Sequence, residues 1–354
     1  MRRGPLTTIL TGLIAVLFMA GVASAIVVGT PPAGAPGATG SSSPARAPLP
    51  GLDDGSDPRR QAPSPGDGSH PSSSRDVSAY QGLGAWVDVF DYALAYHRQW
   101  EGSQLTPDDV DAMAEWGVRT LFLQAARLDD RTPGGIVGMV DPELVGRFLE
   151  RAHARGIRVV GWYLPKFGDV ERDLANLILL RDFRSGGHHF DGIAVDIEWR
   201  RDAPDHAERN RRLVELSRRL RQEAPGHPLG AIVYPPVLLE DIKPDFWPGF
   251  PWRELAASFD VWLPMAYWTE VSAASGYRDG YRYAEEAARR LRANLQDSSA
   301  LVHLIGGVAD VGTVDDVAAF VRAVRESKVL GWSVYDYRTT SGPEWDALQR
   351  AGAS

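Results

Sequence analysis

The chain has 354 residues and a net charge of −8, with 44% hydrophobic and 24% charged residues, as in folded globular proteins. This length leaves room for one large domain or two ordinary ones. The acidic balance argues against a nucleic-acid partner, which would need a basic surface. Because the chain has no cysteine, disulfides, thiolate chemistry and cysteine-rich zinc sites are excluded.

Residues 1–28 have the pattern of a targeting segment. Arg2 and Arg3 precede an uncharged, mostly apolar stretch over residues 6–28, and Ala23-Ser24-Ala25 fits a signal-peptidase cleavage site. The apolar stretch is also long enough, at about 20 residues, to cross a bilayer as an uncleaved anchor. We therefore predict an extracytoplasmic protein, which is either secreted or attached to the cell membrane by this segment.

Residues 29–79 are rich in Pro, Gly, Ser, Ala and Asp and contain almost no large apolar side chains. Such a segment cannot bury enough surface to offset the entropy of ordering it. It is therefore predicted to be a disordered linker between the N-terminal segment and a folded domain over residues 80–354.

The folded domain alternates short apolar runs with amphipathic helical stretches. Helix starts are marked by signals such as Asp141-Pro142-Glu143, a capping residue followed by proline and an acid. Eight strand–helix units predict an α/β fold, a (β/α)₈ TIM barrel, and no Gly-x-Gly-x-x-Gly motif supports the alternative, a doubly wound nucleotide-binding sheet. The predicted strands are 85–90, 119–124, 158–164, 192–198, 230–234, 261–267, 301–306 and 330–335.

The fourth predicted strand carries two acids on one face. Because side chains alternate along a strand, one face carries Ala194, Asp196 and Glu198. The opposite face carries Ile193, Val195 and Ile197. Active sites of such barrels lie at the C-terminal ends of the strands, where these acids fall. The pair predicts an active site, and the alternative is a buried salt bridge with Arg200 or Arg201.

The run Asp191-Gly192-Ile193-Ala194-Val195-Asp196-Ile197-Glu198 resembles the Asp-Gly-x-Asp-x-Asp-x-Glu signature of family 18 glycoside hydrolases, the chitinase-like barrels. Pro264-Met265-Ala266-Tyr267 is similar to the Met-x-Tyr of that family on strand six. Gly331-Trp332-Ser333 resembles its tryptophan motif on strand eight. The chain departs from the signature at Ala194, where the family has its middle Asp.

The resemblance implies a role for each matching residue. Glu198 would be the general acid that protonates the glycosidic oxygen. Asp196 would orient the N-acetyl group of the substrate, which serves as the nucleophile in this family. Tyr267 would hydrogen-bond that group, and Trp332 would form the apolar floor under the sugar. Ala194 leaves Asp196 without the acid that supports it in the family.

Other residues at the predicted strand ends could complete the site. Strand seven contains no carboxylate, so Asp88 on strand one and Asp336 after strand eight are the candidates for a second catalytic acid. Aromatic side chains are suited to stack on the apolar faces of sugars. Tyr163, Trp199 and Tyr234 are the further predicted contacts.

These patterns predict an exported protein that binds a polysaccharide or oligosaccharide, with N-acetylated sugars as the substrate that the resemblance implies, and hydrolyses its glycosidic bonds. One alternative is a non-catalytic barrel that binds a glycan or a protein. Another is a glycosidase of a different barrel family, in which Glu198 works with Asp88 or Asp336. The pair His188-His189 precedes strand four at the opposite end of the barrel, so we predict no metal and no cofactor.

Overall fold

The structure, a computed structural model, describes residues 75–96, 103–128 and 138–352. The predicted targeting segment, and the linker as far as residue 74, lie outside the described residues. Within the described part, no helix is both long and apolar enough to cross a membrane.

Eight parallel strands form a closed barrel in the order β1 to β8, as the sequence predicts. The bounds agree closely with the predicted ones except for two strands: the first begins and ends three residues earlier than expected, and the sixth ends three residues earlier, at Pro264. The strands are β1 Gly82–Val87, β2 Thr120–Gln124, β3 Arg158–Tyr163, β4 Gly192–Ile197, β5 Leu229–Val233, β6 Val261–Pro264, β7 Leu301–Val308 and β8 Gly331–Tyr335.

The α-helices of the described residues connect these strands. Their starts follow the predicted signals: Asp141 accepts a hydrogen bond from the backbone N–H of Leu144, and Thr313 forms a reciprocal capping box with Asp316. The helices are α1 Val89–Tyr92, α2 Asp109–Glu115, α3 Pro142–Ala154, α4 Val170–Asp182, α5 His206–Glu223, α6 Trp252–Ala256, α7 Gly280–Leu295, α8 Val314–Glu326 and α9 Gly342–Gln349. The unit after β5 contains only a short π-helical turn and α6, as its proline-rich sequence suggests.

The N-terminal end of the barrel is closed by residues that the sequence assigned in part to the linker. Arg75 donates to Oδ1 of Asp260 at 2.9 Å and to the carbonyl of Pro225 at 2.7 Å. The fully buried Tyr80 donates from its hydroxyl to the carbonyl of Ile193 at 2.7 Å. The folded domain therefore includes Arg75 and the residues after it, five residues before the predicted boundary.

A chain of hydrogen bonds crosses the barrel interior. The carbonyl of Tyr80 only accepts, so Nδ1 of His303 donates to it at 2.9 Å, and Nε2 accepts from the hydroxyl of Ser333 at 3.0 Å. The oxygen of Ser333 then accepts from Nε1 of Trp86 at 2.8 Å. Burial lowers the pKa of His303 to about 4, so the ring is neutral at neutral pH. These hydrogen bonds fix the position of the Trp86 indole in the barrel interior.

Candidate active site

The inward-facing residues of β4 lead to a cavity at the C-terminal end of the barrel. Ala194 packs in the barrel core, while Asp196 and Glu198 line the cavity, as strand alternation predicts. The cavity is lined by Trp86, Trp162, Asp196, Glu198, Ile232, Met265, Tyr267, Ile305, Val308 and Tyr335.

Four of the ten described side chains that line the cavity are aromatic. Trp86 meets Trp162 edge to face, with the ring centroids 5.9 Å apart, and it stacks on Phe122 at 4.3 Å. Tyr267 and Tyr335 lie beside each other, with centroids 6.2 Å apart. Flat apolar rings around a small polar floor are the typical surroundings of a bound small molecule.

The two acids in the cavity are electrostatically coupled. The apolar surroundings of Glu198 raise its pKa to about 7. Burial, together with the charge of Glu198, raises the pKa of Asp196 well above its ordinary value. At neutral pH, therefore, Glu198 is poised between its two protonation states, and Asp196 gives up its proton less readily than an ordinary aspartate.

In the described part of the chain, no arginine charge lowers the pKa of Asp196 or of Glu198, although the salt-bridge alternative requires one. The guanidinium of Arg200 lies 3.7 Å above the centroid of the Phe246 ring, and that of Arg201 lies 5.6 Å from the ring centroid of Trp199. Among the described residues, Oδ1 of the buried Asp196 has no hydrogen-bond partner, and neither does Nε1 of Trp162. Two polar atoms of the cavity wall are thus unsatisfied, which is unusual for buried groups.

Asp88 and Asp336 come together, as adjacent strands one and eight suggest, and Asp91 joins them. One carboxylate oxygen from each residue lies within 4.8 Å of the other two. None of the three acids lines the cavity. Tyr335 connects the cavity to the cluster, because it lines the cavity and its hydroxyl donates to Oδ2 of Asp88 at 2.7 Å. Burial and the charge of Asp88 raise the pKa of Asp336 to about 7.

This three-carboxylate cluster is the arrangement of described residues that is closest to a metal site. Its charge is partly balanced by protein groups: Nε of Arg338 lies 2.9 Å from Oδ1 of Asp91, and the charge of Arg127 partly offsets the rise that burial causes in the pKa of Asp88. Asp88 and Asp91 also cap each other's backbone N–H groups at the start of α1. These contacts give the cluster a structural role.

Three predicted sugar contacts lie away from the cavity. Nε1 of Trp332 donates to the carbonyl of Leu348 at 3.0 Å, so this indole packs outside the barrel against α9. Tyr163 points outward too and donates to Oδ1 of Asp173 at 2.6 Å. Trp199 lies in the loop after β4 and donates to Asp202 at 2.9 Å. The inward face of β8 belongs instead to Gly331, Ser333 and Tyr335.

The remaining predicted contacts lie in or beside the cavity. Tyr267 lines it, and the pKa of this tyrosine is raised by burial and by the charges of Glu198, Asp196 and Asp336. Tyr234 packs against the barrel core, and burial together with the charge of Glu198 raises its pKa. Tyr267 is therefore the predicted aromatic residue that lines the cavity together with both acids.

Sequence reasoning missed Trp86 as a wall residue, and it placed Trp162 and Tyr335 at strand ends without choosing them as sugar contacts. The alternation of β3 contains a signal for Trp162, which is the register partner of Ala194 and hence faces inward with it. Trp86 shares a face with Asp88 in the predicted first strand, but only the earlier bounds of β1 place it near the C-terminal end, where the cavity lies. Tyr335 follows from the inward position of Ser333, two residues before it.

The barrel resembles solved structures of glycoside hydrolases. The endo-beta-1,4-mannanase from Thermotoga petrophila aligns over 78% of this chain and 77% of its own, with 12% identity and a TM-score of 0.58. A class V chitinase from Pseudomonas fluorescens Pf-5 aligns over 77% of this chain and 100% of its own, with 13% identity and a TM-score of 0.55. The GH18 chitinase from Cycas revoluta in complex with (GlcNAc)3 aligns over 76% of this chain and 99% of its own, with 14% identity and a TM-score of 0.55.

No family model matches the chain, and no curated protein matches it either. At identities this low, the structural likeness shows the fold alone. The chain has the barrel fold that is found in chitinases and in a mannanase, in agreement with the distant chitinase-like relationship that the strand-four motif indicates.

Proposed function

We propose that the protein is a glycoside hydrolase in which Glu198 is the general acid and Asp196 is its partner. The observation that carries this proposal is the placement of both carboxyls in an aromatic cavity at the C-terminal end of the barrel, with the pKa of Glu198 raised to about 7. An acid with a pKa near the working pH combines a useful protonated fraction with a strong tendency to give up the proton.

The chemistry assigned to the acid is the donation of one proton and its later replacement by a proton from water. Glu198 gives its proton to the glycosidic oxygen as the bond to the anomeric carbon breaks, and the leaving sugar departs as an alcohol. Water supplies the hydroxyl that ends on the anomeric carbon, and its other proton restores Glu198. Asp196 lies next to the positive charge that develops on the sugar ring and stabilises it.

The substrate class that we propose comes from the strand-four motif. The resemblance of the strand-four motif implies N-acetylated sugars of chitin or of the cell wall, and the Cycas revoluta chitinase was solved with (GlcNAc)3 bound. The fold alone does not select a sugar, because a mannanase matches it as well as the chitinases do. A substrate outside the cell agrees with the proposed export through residues 1–28, with the protein secreted or membrane-anchored.

One observation favours a second candidate function, a barrel that binds a glycan without cleaving it. Ala194 stands where the resembling family has an acid, and Oδ1 of Asp196 has no partner among the described residues. Without this supporting acid, the cavity still binds a sugar through its aromatic walls, but Asp196 orients an N-acetyl group poorly.

Reducing-end release from a panel of glycans separates the two functions. The panel contains chitin oligomers, cell-wall glycan, chitosan oligomers and mannan, and each is incubated with the wild type and with Glu198→Gln. The hydrolase requires release by the wild type from at least one glycan and its loss in Glu198→Gln, whose folding is checked by circular dichroism. Binding of a glycan by both proteins with no release by either would establish the binding module instead.

A further inference from the structure

We propose that the cavity binds a protonated amine, so that the sugar in this subsite is a 2-amino-2-deoxy sugar without its N-acetyl group. The substrate class is then a fully or partly de-N-acetylated amino-sugar glycan. This inference rests on the proposed function in one respect, namely that the cavity is where the glycan binds.

The composition of the cavity wall is that of a cation site. Of its ten described lining residues, two are carboxylic acids, four are Trp or Tyr, and none is Lys, Arg or His. Aromatic faces attract ammonium groups through the negative charge of their π systems, more strongly when water is excluded. Carboxylates complete such a site because they accept the ammonium hydrogen bonds.

Asp196 supplies the independent observation that points to a ligand. Its side chain is 5% exposed, it lines the cavity, and its Oδ1 has no partner among the described residues. Its pKa is raised by burial and by Glu198, and no cation offsets these effects. An unpaired buried acid is costly, and an ammonium group with three N–H donors would satisfy it.

The size of the cavity agrees with an amine. Its volume is about 50 Å³, room for a few water molecules. An ammonium group has one heavy atom and is close to water in size, so it fits inside this space. The pyranose ring would lie at the mouth of the cavity, with its amine directed inward between the aromatic walls.

An amine also resolves the departure at Ala194. In the family that the motif resembles, an acid at this position supports its neighbour, which holds the N-acetyl group. In this chain the support for Asp196 comes from the substrate. With the ammonium paired to Asp196, that carboxyl carries the negative charge, and Glu198 keeps the proton that acid catalysis needs.

The test compares three β-1,4-linked tetrasaccharides that differ only at carbon 2: the tetramers of glucosamine, N-acetylglucosamine and glucose. Calorimetry with full-length Glu198→Gln, which keeps Asp196 and removes turnover, is performed at about pH 6, where an amine is protonated. We expect the glucosamine tetramer to bind at least about 10-fold more tightly than the other two. Equal affinities, preference for the N-acetylated tetramer, or binding of none of the three would overturn the proposal.

Two controls assign the effect to the amine and Asp196. Adding Asp196→Asn to Glu198→Gln should remove the preference, and a preference that survives in the folded double variant counts against the site. Independently, excess methylammonium chloride should displace the glucosamine tetramer from Glu198→Gln, while potassium chloride at the same concentration should not; equal effects of the two salts refute the proposal. If the wild type releases N-acetylated sugars and shows no preference for the amine, only this inference fails. If the protein prefers the amine but releases no sugar, only the proposed hydrolase function fails.

Discussion

The hydroxyl of Tyr335 donates a 2.7 Å hydrogen bond to Oδ2 of Asp88. This contact joins the wall of the cavity to the three-carboxylate cluster behind it. Since its proton is committed to Asp88, the oxygen of Tyr335 can only accept from a ligand. The pairing also supplies a donor to a buried acid whose pKa burial raises.

Tyr335→Phe should destabilise the fold while keeping the ring in the cavity wall. The variant removes a donor from buried Asp88, and hydrogen bonds to charged groups contribute about 1.5–3 kcal/mol. We expect the free energy of unfolding, measured in urea at neutral pH, to fall by that amount. Tyr281→Phe is the matched control, because its hydroxyl bonds Glu326 at the exposed surface, and it should cost less than about 0.5 kcal/mol. Equal losses in the two variants would argue against the structural role of the Tyr335–Asp88 pair.

Trp162→Phe and Trp332→Phe should affect glycan binding very differently. Trp162 lines the cavity with an unpartnered Nε1, whereas Trp332 packs against α9. Trp162→Phe removes a donor and part of an aromatic face, so we expect the affinity for the best-binding tetramer to fall about 5–30-fold. Trp332→Phe should change it by less than about twofold. A larger loss in Trp332→Phe would restore that residue as the sugar contact.

Ser333→Ala should lower the free energy of unfolding more than an ordinary serine-to-alanine substitution in a barrel core. It leaves both Nε1 of Trp86 and Nε2 of His303 without their partner, and each buried unsatisfied group costs about 1–3 kcal/mol. We expect the free energy of unfolding to fall by at least about 2 kcal/mol. The exposed Ser299→Ala should lie within about 0.5 kcal/mol of the wild type. If the two variants were equally stable, the proposed hydrogen-bond chain through the barrel would be wrong.

Asp336 should make the protein less stable as the pH rises. Burial and Asp88 raise its pKa to about 7, while an unfolded aspartate has a pKa near 4. Between about pH 4 and 7 the folded state therefore holds more protons, and this contribution falls by up to about 1.4 kcal/mol per pH unit. Asp336→Asn lacks this loss, so its stability relative to the wild type should increase over that range and level off above it. Urea unfolding across this range checks the sign, and a constant difference would contradict it.

Strand alternation was sufficient to find the centre of the candidate site. It placed Asp196 and Glu198 on the inward face of β4, and the same period places Met265 and Tyr267 in the cavity wall. These positions depend on local backbone geometry, which a sequence pattern reports directly.

The error in the first strand has a local physical cause. Its predicted range included residues 88–90, but Asp88 accepts hydrogen bonds from the backbone N–H groups of Phe90 and Asp91 and so begins α1. Asp88 thus acts as a helix cap instead of a strand residue. The strand therefore ends at Val87, which places Trp86 near its C-terminal end, in the wall of the cavity.

The error at Trp332 depends on contacts between distant parts of the chain. The inward face of β8 is set by Ser333, which bonds His303 30 residues away, and His303 in turn bonds Tyr80 across 223 residues. A Cβ at Gly331 would collide with the His303 ring, so glycine is required there. The local sequence contains no sign of these contacts, and the family resemblance pointed to the wrong face.

The role of Glu198 is tested most directly by the dependence of its loss on the leaving group. The substrates are a glycan of the released class and the dinitrophenyl glycoside of the same sugar, whose leaving group needs no proton. Glu198→Gln should lower kcat/KM for the glycan by about 10²–10⁴-fold and affect the aryl glycoside far less. In the wild type, the alkaline limb of kcat/KM for the glycan should fall near pH 7, following the pKa of Glu198. An equal loss on both substrates would contradict the assignment of Glu198 as the general acid.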